Sequence, residues 1–364
     1  MKKILFICAA SKMVLHFRTD LIKKYQSEGY GVSVVTFDSQ YGEEIKGLGV
    51  DFYCIGSSNR SLNPFEILSL KKKYVSIIKE VKPDVVFTFM LKPNIFGAAA
   101  AKKVGVKKIF SMVEGAGDAF TYNTLKWRIV RSVVVLMYKK AFKIPNKVFF
   151  LNCDDVNEFV RRKMISKERC ELVKGIGVNL DEFVFETISN YDSFLMVARL
   201  NVAKGVIEYC NAARIVKKSY PDATFGLLGA EGNLTTEDIK EFIDDGSIIY
   251  HGVTDDVRPY LRECGVCVLP SYREGFSVSI MEAEASGKPV ITSDAAGCKD
   301  AVRDGYNGFL VPVKDVETLA ERMVYFLNNP DKVKEMGKQA REFAETYFDY
   351  KKINDYIFNV VEVN

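Results

Sequence analysis

Two carboxylates, Glu274 and Glu282, stand eight positions apart in the stretch 269–290, LPSYREGFSVSIMEAEASGKPV, and two cations, Arg199 and Lys204, stand five apart in DSFLMVARLNVAK. Carboxylates accept hydrogen bonds from hydroxyls, and guanidinium and ammonium groups meet phosphate. The surroundings of Glu274 supply a third ingredient. An apolar run, 264–269, breaks at Pro270, and Ser277 is placed to cap a helix over 278–286 that Gly287 stops. The unpaired N–H groups and positive dipole end of such a helix favour an anion. A phosphate beside hydroxyl-accepting carboxylates describes a nucleotide sugar as ligand. Taken alone, Glu282 and Glu284 also suit ordinary acids of a first helical turn, and Glu274 a solvated loop acid.

These side chains need elements to hold them. A strand ending near Arg199 and a helix starting near Lys204 put both cations at the carboxyl edge of one sheet, the edge that also carries the Glu274 loop. Strands over 194–198, 224–228 and 248–251 alternate there with helices over 205–217, 235–244 and 256–263. The first half has the same rhythm, with strands over 4–8, 32–37, 51–55, 85–89 and 108–111 and helices over 16–28, 41–48, 64–81 and 94–104. This is the βαβ pattern of doubly wound parallel sheets. The polar stretch 187–192 reads as a linker, so the expectation is an α/β chain of two Rossmann-like domains, 1–185 and 186–364, with the site in the cleft between them.

The first half has its own candidates. Lys92 and Asn94 open a helix at a strand's carboxyl end, where phosphate or sugar hydroxyls fit. Glu114, next to Gly115 and Gly117, can accept from hydroxyls, and His16 is the polar candidate in the first helix. Residues 123–144, NTLKWRIVRSVVVLMYKKAFKI, set Leu125, Ile129, Val133 and Leu136 on one helical stripe among Lys126, Arg128, Arg131, Lys139, Lys140 and Lys143. That pattern suits a helix lying on a bilayer as well as a packed helix.

Composition excludes several classes. An apolar fraction of 48% and a charged fraction of 27% are those of a globular protein, and no apolar run approaches the length of a membrane span. The opening MKKILFICAASK reads as a first strand and not as a signal peptide. Eight scattered cysteines do not form a secreted disulfide framework, and Cys264-Gly-Val-Cys267, without a second pair, reads as buried thiols. Residues 1–182 carry 31 Lys and Arg against 18 Asp and Glu, and residues 183–364 carry 20 against 29. The basic half should face something anionic. Without a zinc-finger, helix-turn-helix or RNP-like signature, nucleic acid is set aside and an anionic membrane surface is left.

Glu274-Gly-Phe-Ser with Glu282 eight positions on, flanked by Leu269-Pro270-Ser271 and Gly287-Lys288-Pro289-Val290, resembles the E-x7-E signature of retaining glycosyltransferases of family 4. Arg199 and Lys204 resemble that family's R-x4-K pair, and the resemblance spans nearly the whole chain. It implies a GT-B fold, with the last helices crossing back to the first lobe. It also implies that Arg199 and Lys204 neutralise a donor diphosphate, Glu274 holds hydroxyls of the donor sugar, and Glu282 holds the ribose. Gly275, Phe276, Ser277 and Val278 would then border the phosphates, with Gly252 and Val253 along the nucleobase. Fixed cations and N–H groups meeting the charge of the leaving diphosphate make a metal or other cofactor unnecessary in this scheme.

Ser61-Leu62-Asn63-Pro64-Phe65, Lys92-Pro93-Asn94-Ile95-Phe96-Gly97, Val113-Glu114-Gly115-Ala116-Gly117 and Gly175-Ile176-Gly177-Val178-Asn179 resemble the subgroup that acts on polyprenyl-diphosphate-linked sugars. The subgroup serves bacterial N-glycan, capsule or O-antigen assembly. The implied reaction moves N-acetylgalactosamine or N-acetylglucosamine from a UDP-sugar with retention, forming an α-glycosidic bond. His16, Lys92, Asn94 and Glu114 become acceptor candidates, and the enzyme is expected to be cytoplasmic, on the inner face of the cell membrane. The chain departs from the pattern at Cys8-Ala9-Ala10-Ser11, where many members have a glycine-rich turn, and at Leu91, where some carry histidine. Two other readings are a UDP-sugar 2-epimerase on the same architecture and a non-catalytic, membrane-docked partner of a glycan-assembly complex.

Overall fold

The computed structural model describes residues 1–57 and 64–364, so residues 61–63 of the first acceptor-side motif lie outside the described residues. The chain forms two units, Met1–Val173 with Lys351–Asn364, and Lys174–Tyr350.

The first unit is built on β1 (Lys3–Ile7), β2 (Gly31–Thr36), β3 (Asp51–Cys54), β4 (Val85–Phe89), β5 (Lys108–Val113), β6 (Lys147–Phe150) and β7 (Cys170–Leu172), all parallel in the order β3-β2-β1-β4-β5-β6-β7. Strands such as VVFTF are apolar at nearly every position because helices cover both faces. On one face Phe6, Phe87, Phe89 and Phe149 form a ring stack, with Phe87 and Phe89 4.5 Å apart. On the other, Leu5, Ile7 and Val86 share a core with Leu70, Tyr74 and Ile78 of the helix Pro64–Val81. The second unit repeats the plan with β8 (Ser193–Val197), β9 (Thr224–Leu228), β10 (Ile249–Tyr250), β11 (Val266–Leu269), β12 (Val290–Ser293) and β13 (Gly308–Val311), in the order β10-β9-β8-β11-β12-β13. Phe194 stacks on its cross-strand partner Phe225 at 5.1 Å.

Three expectations change. The helix read over 16–28 is two helices, Ser11–Phe17 and Thr19–Ser27, because the chain turns at Arg18, whose buried guanidinium bonds Phe17 O and pairs with Glu114. The helix read over 94–104 begins with a wide π turn, Pro93–Gly97, before Ala98–Val104. Residues 174–185 belong to the second unit and not the first. There Gly175 packs against Phe276 and Met281, and the Val178 N–H donates to Phe348 O at 2.8 Å. Of the last helices, Pro330–Tyr347 packs on Val278–Ala285 within the second unit, and Lys351–Asn364 belongs to the first.

Candidate functional site

In each sheet the strand order reverses at one place, between β1 and β4 and between β8 and β11, and ligands of such folds bind at the carboxyl ends beside that reversal. Lys92 and Asn94 follow β4, Arg199 and Lys204 follow β8, and Glu274 follows β11, whereas Glu114 follows β5 and Gly252 and Val253 follow β10.

In the second unit, β8 leads to the turn Val202–Lys204 and β11 to the loop 270–277. Lys204 Nζ donates to Glu274 Oε1 at 2.6 Å, joining groups 70 residues apart. Ser271 Oγ lies 2.6 Å from the same oxygen and 2.9 Å from Ala203 O, so its single proton can serve either loop. Backbone bonds hold these two loops, and the loop after β12, in register. The Tyr272 N–H donates to Ala203 O and the Glu274 N–H to Ala296 O, both at 2.8 Å. Two glycines permit this approach. A Cβ on Gly205, at φ +76°, would lie 2.2 Å from Pro270 O, and one on Gly297, at φ +73°, would lie 2.3 Å from Glu274 O. Arg199 is exposed and has no ion pair among the described residues.

The helix Val278–Ala285 follows, and the Ile280 N–H donates to Ser277 Oγ at 3.4 Å, the cap its sequence calls for. That hydroxyl is buried, and the Phe276 ring is also buried, edge-on to Phe348 at 5.5 Å. The side chains of Phe276 and Ser277 therefore hold the loop. Burial pushes the Glu282 carboxyl up to about 8. Glu284 is fully buried, accepts from Asn307 Nδ2 at 2.8 Å and is raised well above the usual carboxylate range by burial. Gly252, at φ +74°, and the exposed Val253 follow the edge strand β10, which β9 separates from β8. His251 sets its ring against Tyr260 at 5.1 Å.

In the first unit, β4 is followed by Met90 at φ +74°, a left-handed conformation that costs a side-chain-bearing residue about 1–2 kcal/mol. Lys92 beyond it is buried, and burial lowers its ammonium pKa against the opposing charge of Glu66. Asn94 is a correction. Its side chain is fully buried, accepting from Thr88 Oγ1 and donating to Met112 O, both at 2.8 Å, so it braces β4 and β5 and has no exposed atom to offer an acceptor. Glu114 pairs with Arg18, which lies over the Phe89 ring at 4.6 Å. His16 lies 6.2 Å, ring to ring, from both Phe17 and Tyr41.

Arg18 and Ser271 are residues to which sequence reasoning gave no role. An arginine one turn beyond the buried Val14 is a signal for a paired interior cation, and a hydroxyl three places before Glu274 is a signal for its brace.

Comparison with known proteins extends this geometry. A family model described as glycosyl transferases group 1 matches residues 180–343, and one described as glycosyl transferase 4-like matches residues 3–147. The N,N'-diacetylbacillosaminyl-diphospho-undecaprenol alpha-1,3-N-acetylgalactosaminyltransferase of Campylobacter jejuni is 30% identical over 356 residues, 94% of either chain. The UDP-Gal:alpha-D-GlcNAc-diphosphoundecaprenol alpha-1,3-galactosyltransferase of Escherichia coli is 25% identical over 68% of this chain and 67% of its own. The crystal structure of Anabaena HepE in complex with UDP-glucose aligns over 100% of both chains with a TM-score of 0.81 at 19% identity, a likeness of fold.

Proposed function

The chain belongs to the group 1, family 4-like glycosyltransferases and has their GT-B fold of two Rossmann-like units, and on that premise we propose that it moves an N-acetylhexosamine from a UDP-sugar to a polyprenyl-diphosphate-linked saccharide. The observation that carries the donor half is the meeting of Lys204 and Glu274 at the β8/β11 reversal, beside a capped helix N-terminus. Lys204 and Arg199 meet the diphosphate, together with backbone groups of Gly275, Phe276, Ser277 and Val278. Glu274 accepts from hydroxyls of the sugar, Glu282 from the ribose, and Gly252 and Val253 border the base. The bond from the anomeric carbon to the β-phosphate oxygen breaks with its electron pair on that oxygen. The acceptor hydroxyl bonds to the same face of the carbon, and its proton passes to the leaving phosphate. The α configuration is kept, and the protein contributes position and charge.

The acceptor class is supported by the two relatives whose names specify a diphospho-undecaprenol substrate, the first of them similar along nearly its whole length. Lys92 suits the acceptor's diphosphate, and Glu114, steadied by Arg18, suits its sugar, with His16 nearby in the chain's first helix. Among the described residues no helix is long and apolar enough to cross a membrane. The lipid-linked acceptor would instead hold the enzyme peripherally at the inner membrane face. Transfer from a panel of UDP-sugars to a polyprenyl-diphosphate-linked sugar, read as product mass and anomeric configuration with and without chelator, tests the proposal. One preferred UDP-N-acetylhexosamine and an α-linked product are expected. Nucleotide binding with no transfer to any lipid-linked acceptor would overturn it.

A further inference from the structure

The helix Leu125–Ala141 leaves a row of large apolar side chains in water: Leu125 is 73% exposed, Ile129 60%, Val133 49% and Leu136 60%. Steps of four, four and three residues put them on one face. The helix is anchored elsewhere, through buried Tyr138 and Ala141 and the Tyr138 ring stacked on Phe142 at 4.6 Å. Its face is therefore not an unfinished core. Exposed Lys126, Arg128, Lys140 and Lys143 flank the row, and residues 123–144 contain no acid. Arg131, counted among the surface cations from sequence, is instead structural, donating to Ala119 O and Tyr122 O at 2.6 Å each.

The helix also adjoins the segment that carries Lys92. Both Leu125–Ala141 and Pro64–Val81 pack on the π turn Pro93–Gly97, which follows Lys92. Phe65 and Leu68 at the start of Pro64–Val81, and Leu91 before Lys92, are exposed as well.

We propose that the exposed face of Leu125–Ala141 is the surface by which the first unit lies on an anionic phospholipid bilayer, bringing the Lys92 segment to the lipid-linked substrate. Its purpose rests on the acceptor class proposed above, but its physical basis does not. An apolar stripe bordered by lysines whose stems can lie along acyl chains while their ammonium groups reach headgroup phosphates is the pattern of an interfacial helix. Charge selects this occupant over a second copy of the chain, since two such faces would set cation against cation.

The test is flotation of the full chain with vesicles that contain no acceptor, made of phosphatidylcholine alone or mixed with phosphatidylglycerol. Binding should need the anionic lipid and weaken with salt. The triple variant Lys126→Gln, Lys140→Gln, Lys143→Gln should bind about 100-fold more weakly. The variant Leu125→Ser, Ile129→Ser, Leu136→Ser should lose about tenfold or more. Both variants should transfer sugar to a short, water-soluble acceptor at the parent rate, which shows that they fold. Unchanged vesicle binding by either variant, or equal binding to neutral vesicles, would overturn the proposal. So would sedimentation showing self-association that the serine variant abolishes. Vesicle binding without transfer would sink the proposed reaction alone, and transfer to the short acceptor without vesicle binding would sink this inference alone.

Discussion

Glu274 is the residue on which the proposed donor site depends, and its partners explain what a substitution should do. One carboxylate oxygen is shared by Lys204 and Ser271, a part-buried cluster made of groups from two loops. The Lys204 ammonium and the Glu274 carboxylate satisfy each other. A diphosphate would offer Lys204 a stronger partner and leave Glu274 to accept from sugar hydroxyls. Replacing Lys204 or Glu274 with Ala should therefore cut kcat by about 100–1000-fold, the usual consequence of removing a group aimed at developing charge. Circular dichroism should stay unchanged, and parent-level turnover by either variant would remove the assignment.

Glu282 adds a pH signature at the same scale. Burial raises its folded pKa to about 8 from an ordinary 4.5, so between those values the folded chain holds a proton that the unfolded chain has released. Stability contributed by this group is accordingly lost as pH climbs through that window, and Glu282→Gln should flatten the decline in a melting series. If the ionised carboxylate accepts from ribose hydroxyls, UDP binding will draw the proton off. Calorimetry near neutral pH in buffers of different ionisation enthalpy should then show proton release by the parent and none by Glu282→Gln. Equal release from both would place the ribose elsewhere.

At the scale of elements, the proposed donor site is a junction of three loops, after β8, β11 and β12, that glycines let close. Gly205→Ala would bring a Cβ to 2.2 Å from Pro270 O at a left-handed φ, and Gly297→Ala would meet Glu274 O at 2.3 Å. Each should destabilise the fold by about 1–3 kcal/mol and lower transfer by more than the loss of folded protein accounts for. A normal turnover per folded molecule would show that the loops tolerate the shift. Much of this junction was legible beforehand. The strand, Pro270, Ser277 cap, helix and Gly287 stop were all carried by local signals, and Gly287 does adopt φ +74°. The meeting of Lys204 with Glu274 was not, because 70 residues separate them and only the β8–β11 pairing brings their loops together. Asn94 was misread for a related reason. Its place at a helix start suggested a ligand, whereas its partners, Thr88 and Met112, come from β4 and β5. The helix break at Arg18 likewise follows from Glu114, which lies 96 residues away.

At the scale of the molecule, the first unit is completed by the last residues of the chain, and that dependence can be measured. Within Lys351–Asn364, Ile353, Ile357 and Val361 are buried, and the Phe358 ring packs against Tyr25 at 5.2 Å. Charged groups reinforce the seat. Lys2 Nζ meets Glu362 Oε2 at 2.7 Å, and Tyr30 donates to the same carboxylate. Lys108 Nζ donates to Val361 O and Glu362 O at 3.2 and 2.7 Å, capping carbonyls at the negative end of the helix. Burial of the three aliphatic side chains alone is worth roughly 5 kcal/mol, comparable to the whole stability of an ordinary domain. Ending the chain after Tyr350 should therefore unfold the first unit while leaving the second able to bind UDP. In a thermal scan of the full chain, UDP should raise one transition and leave the other in place, because a ligand stabilises only the unit that binds it. The shortened chain should lose the transition that UDP does not move and keep the one that it does. Lys108→Met, which removes the cap and spares the packing, should lower the UDP-insensitive transition by a few degrees, an effect of about 1 kcal/mol. Loss of the UDP-sensitive transition instead would mean that the closing helix supports the nucleotide-binding unit and not the first.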